Sequence, residues 1–324
     1  MSSKNLNNAK FAKKDEFYTQ LSDIEKELCH YTEHFKGKVV YCNCDDPRES
    51  NFVRYFVDRF HELGLKKLIA TCYKDQSFDI FSDTQKETPV LLEYSGDVGG
   101  GYSKYLIDSL IKPIEGDGDF RSPEVKEFLD EADIVVTNPP FSLFRHFVSL
   151  MCQNGKDFIV LGNVNAISFK DVFPLVKEGS LRIGVSIHSG DREFEVPEGY
   201  PADASKFRVD EEGNLFVRVK GVRWFTTLKT DEVLPPIELT ETYSEEKYPK
   251  CDNHEAINVN EVKKIPKDYD GLMAVPITFM DKYNEEQFEI IGMNAIKEGD
   301  VFSNERLICN GEVLYARIIL RKRK

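Results

Sequence analysis

The sequence predicts an α/β protein with a doubly wound, mostly parallel sheet. Two stretches carry this reading. Residues 38–73 run "KVVYCNC", "ESNFVRYFVDRFHELG" and "KKLIATCY". That is strand, amphipathic helix and strand with short connections, as crossover units of a parallel sheet require. Residues 133–138, "DIVVTN", hold an apolar run without alternation. A strand covered on both faces reads this way.

The other elements follow in order. "LSDIEKELCHYTEHF" has apolar residues at helical spacing and precedes the first strand. Gly64 sits where the helix between the first two strands would end. "TPVLLEYSGD" is strand-like, "VGGGYSKY" a glycine-rich loop or hairpin tip, and "GDGDF" a turn. "SPEVKEFLDEA" is a helix, with Ser122 as N-cap and Pro123 at its first position. After residue 138 come the helix "SLFRHFVSLMCQNG" and the strands "KDFIVLGNVNAI" and "LRIGVSIHSG". "KFRVDEEGNLFVRVKG" alternates on both sides of a Glu-Gly-Asn turn, a hairpin pattern, and "GVRWFTTL" is a last strand. Past Lys229 the chain turns polar and proline-punctuated, and "LMAVPITFMDKYNEEQFEIIG" reads as a strand leading into a short helix. The boundary falls near residue 230. Residues 1–230, with an insertion at about 189–221, form one domain and residues 231–324 a second region.

Composition narrows the function. The chain has 324 residues, 41% of them hydrophobic, enough for a large core and a smaller one. No apolar run approaches the roughly 18 residues of a membrane span. The opening "MSSKNLNNAKFAKK" lacks the apolar block of a secretory signal, so a cytoplasmic location is expected. Seven scattered cysteines are then expected as free thiols. Cys42 and Cys44 lack a second pair at metal spacing, so no metal is expected. The net charge of −13 disfavours non-specific phosphate binding but leaves room for local basic patches, such as Lys4, Lys10, Lys13 and Lys14 or the terminal "RIILRKRK".

The chemistry lies in "DIVVTNPPFS". Neither proline can donate to a ladder, so the strand stops at a stiff corner. In open α/β sheets ligands bind at the carboxyl ends of strands. There Asn138 offers a side-chain carbonyl and Pro139 a backbone carbonyl, with Pro140 completing the corner and Phe141 adding a flat ring. Two fixed acceptors suit a primary amine on a planar ring. They draw its nitrogen towards a tetrahedral shape and stabilise the positive charge that grows on alkylation. A stacked ring adds about 1–3 kcal/mol for a nucleobase.

Asn-Pro-Pro-Phe after an apolar strand resembles the catalytic motif of S-adenosylmethionine-dependent DNA amino-methyltransferases. "DEFYTQ" resembles their segment beside the cofactor's methionine end, and "GDGDF" their Asp-Phe motif for its adenine. More closely, "KVVYCNCDDPR", "LGLKKLIA", "GDGDFRS", "DIVVTNPPFSLFR", "YPKCDN", "AINVN" and "VPITF" occur in this order in the EcoRI type of adenine-specific modification methylase. The resemblance spans nearly the whole chain. It implies a Rossmann-like class I methyltransferase fold with a seven-stranded sheet and a C-terminal DNA-recognition region.

It also implies roles. Phe17, Tyr18 and Thr19 would contact the methionine moiety, and Asp119 and Phe120 the adenine of S-adenosylmethionine. The loop after the first strand departs from the usual glycine-rich form, reading Cys42-Asn43-Cys44-Asp45-Asp46. Asn43, Asp45 and Asp46 of this loop would bind the cofactor, the two carboxylates suiting its ammonium and sulfonium. The second strand ends without the usual acid for the ribose, at Tyr73, which would stack on the adenine; Asp75 is a candidate for the ribose. The target adenine must leave the duplex to be reached. Trp224 and Phe225 are candidates for its second stacking face, and Lys13 and Lys14 for a phosphate clamp. Arg192, Arg208, Arg218 and Arg223 are candidates for reading DNA. A monomer acting on double-stranded DNA is expected, sharing its site with a cognate restriction endonuclease without direct contact, and GAATTC is the first target to test. The alternatives are a methyltransferase for an RNA base or a protein glutamine, and a non-catalytic DNA-binding module.

Overall fold

The computed structural model describes residues 19–74, 88–196, 207–210 and 213–323. The chain divides into two compact units, Met1–Gly162 with Gly184–Lys229, and Asn163–Ile183 with Thr230–Lys324. The second unit thus takes residues 163–183, which the sequence reading leaves in the first domain.

In the first unit, α1 (Leu21–Leu28) and α2 (Thr32–Phe35) lead into β1 (Val39–Cys42). Then come α3 (Asn51–Asp58), β2 (Lys67–Thr71), β3 (Val90–Tyr94), α4 (Lys104–Leu110), β4 (Lys112–Pro113), α5 (Lys126–Glu131), β5 (Ile134–Thr137), α6 (Phe144–Gln153) and β6 (Asp157–Asn163). Further along the chain are β7 (Arg182–Ile183), β8 (Asp191–Glu195), β9 (Phe207–Val209), β10 (Leu215–Lys220) and β11 (Val222–Thr226). The large sheet has eight strands, in the order β4-β3-β2-β1-β5-β6-β11-β7. The resemblance implied seven; the sheet has eight, and its edge strands β4 and β7 are only two residues long each. β2, β1, β5 and β6 pair in parallel, whereas β3 is antiparallel to β2 and β4 to β3.

Every residue of β1 and β5 is buried, as their unbroken apolar runs predict. Helix α3 starts where Ser50 Oγ accepts from the amides of Phe52 (3.1 Å) and Val53 (3.4 Å). Its Phe52, Val53 and Phe56 enter the core beside Val40, Val136 and Trp224. Ser122 does not cap the next predicted helix. Its hydroxyl donates instead to Asp117 Oδ1 (3.1 Å), inside the "GDGDF" turn.

One buried acid ties distant segments together. Glu27 of α1 is fully buried and accepts from Tyr31 Oη (2.9 Å), the amides of Val185 (2.9 Å) and Ser186 (2.7 Å), and Ser186 Oγ (2.6 Å). Gly184 permits the approach: a Cβ there would stand 2.1 Å from Glu27 Oε1. In the insertion, β9 and β10 form the predicted hairpin, and β8, which the sequence reading missed, adds a third antiparallel strand.

The second unit holds α7 (Phe173–Lys177), β12 (Ile257–Asn258), β13 (Met273–Pro276), β14 (Phe288–Met293), β15 (Ile308–Cys309), β16 (Glu312–Val313) and β17 (Arg317–Lys322). Its main sheet runs β12-β13-β17-β14, and β15 and β16 form a separate hairpin. Asn310 and Gly311 turn that hairpin with positive φ values of 53° and 78°. The expectation of seven free thiols fails here, because Cys251 and Cys309 form a disulfide across 58 residues. The neighbouring Asn253 and Asp252 bring the partners together, their side chains accepting from the amides of Ile308 (2.9 Å) and Gly311 (2.8 Å). The other five cysteines are free thiols. Among the described residues no helix is long and apolar enough to cross a membrane.

Candidate active site

β1 pairs with β2 on one side and β5 on the other. The carboxyl ends of β1 and β5 therefore flank the point where sheets of this kind bind ligands. Asn138-Pro139-Pro140 leaves β5 at this end without secondary structure, and Phe141–Leu143 forms a single 3₁₀ turn before α6. Asn138 and Phe141 are half-buried and Pro139 is buried. Phe141 packs against the main core.

Directly before Asn138, Thr137 is fully buried, and its hydroxyl donates to Asp45 Oδ2 while accepting from the Cys44 amide (3.2 Å). The Asp45 carboxylate also accepts from Ser50 Oγ (2.8 Å), and the Asp45 amide donates to Thr71 O (3.0 Å). One buried side chain thereby joins the ends of β1, β2 and β5 to the start of α3. Burial pushes the Asp45 pKa up to about 6, against the lowering effect of the two hydroxyls. This geometry corrects the direct cofactor role expected of Asp45, since the carboxylate is spent inside the protein. Asn43 is buried beside it, and its Oδ1 accepts from Cys44 Sγ (3.6 Å). Burial also raises the Cys42 and Cys44 thiols well above their ordinary range, which makes them poor nucleophiles.

The adjoining loops carry paired charges. Asp46 meets Lys74 Nζ at 2.8 Å and also accepts from the Arg48 amide (3.0 Å). Both oxygens of Asp119 accept from Arg121, whose Nε lies 2.8 Å from Oδ1. Burial alone would raise the Asp119 pKa, but the Arg121 hydrogen bonds hold it below the ordinary value. Gly118 sets this loop with φ +73°, and a Cβ there would stand 2.2 Å from Cys72 O. Phe120 is buried edge-on against Phe147 at 5.4 Å, while Tyr73 is 37% exposed. Thr19 is buried, its carbonyl accepts from Asn51 Nδ2 (2.8 Å), and its Oγ1 has no hydrogen-bond partner among the described residues. Phe17, Tyr18, Lys13, Lys14 and Asp75 lie outside the described residues.

One expectation for DNA contact fails. Trp224 and Phe225 are both fully buried, Trp224 edge-on to Phe52 at 6.0 Å and Phe225 against Phe144 at 4.9 Å. Their strand has both faces covered, so neither ring presents a surface to an everted base. The arginines of the insertion are in part exposed and form surface ion pairs, which are weak. Arg208 and Arg218 pair with Glu193 at 3.0 Å and 3.3 Å, and Arg223 is buried with Nη1 donating to Val222 O (2.7 Å). Arg192 donates to Asp191 O (3.2 Å).

A cleft of about 280 Å³ lies at the opposite end of the sheet, lined by His34, Lys38, Asp133, Lys156 and Asp157 among others. It sits at the amino ends of β1, β5 and β6, away from Asn138. Among the described residues no group of three or more His, Cys, Asp or Glu side chains is placed to hold a metal ion.

The family model described as adenine-specific methyltransferase EcoRI matches residues 5–323. The type II methyltransferase M.EcoRI of Escherichia coli is 44% identical over 323 residues, covering 98% of this chain and 96% of the relative. M.MpnI of Mycoplasma pneumoniae is 41% identical, covering 88% and 84%, and M.MgeORF184P of Mycoplasma genitalium is 35% identical, covering 98% and 99%. No solved structure matches the chain. The chain belongs to the EcoRI family of adenine-specific methyltransferases, and it is a DNA adenine methyltransferase of a restriction-modification system.

Proposed function

We propose that Asn138 and Pro139 hold the N6 amino group of an adenine swung out of duplex DNA, and that S-adenosylmethionine is the methyl donor. The carrying observation is the position of Asn138-Pro139-Pro140-Phe141 at the carboxyl end of β5, beside the end of β1. Asn138 Oδ1 and the Pro139 carbonyl accept the two N–H bonds. Both acceptors stabilise positive charge on N6 more strongly as that charge develops, so their effect falls on the transition state. Phe141 stacks on the base. No side-chain base is required, because an alkylated amine sheds its proton readily to water.

S-adenosylmethionine supplies an electrophilic methyl group when bound. The residues present fit it in part. The buried Thr19 Oγ1, without a partner among the described residues, suits a polar group of the methionine moiety. Tyr73 offers an exposed ring for the adenine. Asp46 and Asp119 would serve only by sharing oxygens that already pair with Lys74 and Arg121. Asp45 acts indirectly, by fixing Thr137 and hence the position of Asn138. Residues 231–324 form the target-recognition region, and the enzyme works as a cytoplasmic monomer beside a nuclease of the same specificity.

Methyl transfer from labelled S-adenosylmethionine to plasmid DNA, followed by digestion to nucleosides, tests this reading. The expected product is N6-methyladenine, and Asn138→Ala abolishes it while cofactor binding persists. Retained transfer in that variant removes Asn138 from the mechanism.

A further inference from the structure

The four-stranded sheet of the second unit has a polar corner at the rim of an apolar face. Asn258 lies opposite Ala274, Ala274 opposite Ile319, and Pro276 opposite Arg317. Residues two apart on a strand share a face, so Asn258 and Arg317 stand on the same one. Asn258 Nδ2 donates to Asn260 Oδ1 (3.0 Å), which places a pair of amides at the end of β12. Behind them lies a small core that includes Cys251, Ala256, Ala274, Cys309 and Ile319.

Two polar atoms at this corner are buried without hydrogen-bond partners, Arg317 Nε and Asn258 Oδ1. No carboxylate pairs with Arg317 among the described residues. Burial lowers its pKa, and no acidic neighbour offsets the loss. Arg321 on the same strand pairs with Glu289 (2.7 Å), whereas Arg317 Nε shares its lack of a partner with Arg182 Nε and Arg192 Nε. A half-buried guanidinium without an anion costs folding stability, so its presence calls for a ligand. Leading into Arg317 is the β15–β16 hairpin, where Val313 is 69% exposed and Tyr315, just beyond it, 76% exposed. The guanidinium of Arg306 lies 5.8 Å from the Tyr315 ring.

We propose that this corner reads base edges in the major groove of the target duplex, with Arg317 forking onto O6 and N7 of a guanine. The inference rests on the reading of residues 231–324 as the recognition region. Arg317 lies on β17, an inner strand of the four-stranded sheet, just after the β15–β16 ribbon; such a ribbon fits the major groove, where arginine on guanine is the commonest specific contact. Phosphate binding needs only a point charge on a flexible stem, which the exposed lysines of this unit could supply. A planar fork held at a half-buried rim suits a base edge instead.

The test uses the full-length enzyme. Sequencing of N6-methyladenine in plasmid DNA modified by the wild type defines the target. The ratio kcat/KM is then measured on that duplex and on duplexes with each base pair replaced, for wild type, Arg317→Met and Arg317→Lys. Both variants are expected to lose about 5- to 150-fold on the target and to stop discriminating at one G·C pair, while retaining discrimination elsewhere. Arg317→Met is expected to melt at or above the wild-type temperature, the opposite of a structural role. Uniform weakening on all duplexes with a shallower salt dependence would reassign Arg317 to a phosphate and overturn the proposal. Unchanged discrimination, or a lowered melting temperature with equal loss on every duplex, would overturn it too. Hydrogen exchange with and without the target duplex separates the two levels. Without protection in residues 230–323 the recognition-region reading itself falls. With protection there but unaltered variants, only the Arg317 assignment falls.

Discussion

The two ends of the parallel sheet use the same kinds of side chain to opposite effect. At the amino end, Lys38 and Asp133 meet at 3.5 Å with both side chains more than a third exposed, and His34 Nε2 donates to Lys229 O (2.7 Å). These contacts border an open cleft and are screened by water. At the carboxyl end, Asp45, Thr137 and Ser50 are buried and bonded to one another. Exposed polar contacts contribute little and can be lost cheaply. A buried polar network fixes geometry, and it carries an electrostatic cost in doing so. The open cleft is thus a poor guide to the chemistry here, and the end that spends stability on order is the one bearing the Asn138 corner.

The sharpest way to break this contrast is Asn138→Ala. Losing one preorganised acceptor is expected to lower kcat by about 10²–10³-fold or more, read as label transferred to DNA with folding and cofactor affinity intact. Next comes the pH dependence of Asp45. Its pKa of about 6 in the fold exceeds the ordinary 3.8, so the native state binds more protons between these values than the unfolded chain. The contribution of Asp45 to stability therefore falls as pH rises through this window and stays low above it. Denaturant titrations should show wild-type stability, relative to Asp45→Asn, dropping by about 2 kcal/mol from pH 4 to pH 7. A flat difference would mean that the carboxylate is not desolvated. Gly118→Ala should destabilise by about 1–3 kcal/mol, because it forces a side chain into a left-handed turn against a backbone carbonyl. Lys38→Ala, at the amino end, should change stability by less than about 1 kcal/mol and leave methylation rates untouched. A large effect there would erase the contrast.

What could be read from sequence follows the range of the physics involved. β1, β2 and β5 were legible because unbroken apolar runs have a local cause, and the corner at Asn138 because two prolines end a strand wherever they occur. Asp45 was misread as a ligand because a carboxylate in a loop after a strand looks exposed. The groups that bury it include Thr137, 92 positions away. Trp224 and Phe225 were misread for a related reason, since an aromatic pair on a strand has the same pattern whether it faces a cleft or a second layer. The disulfide was hidden by an argument from compartment, which carries no information about the 4.2 Å between the Cα atoms of Cys251 and Cys309. Glu27 gave no signal at all, because its backbone donors lie 158 and 159 residues downstream.

That acid limits how the protein can be shortened. Its carboxylate is the shared acceptor for two main-chain amides and a serine hydroxyl contributed from beyond residue 184. A fragment beginning after α1 would leave those half-buried donors without their acceptor. Helix α1 is accordingly part of the fold it precedes, and the smallest self-folding catalytic piece must contain it.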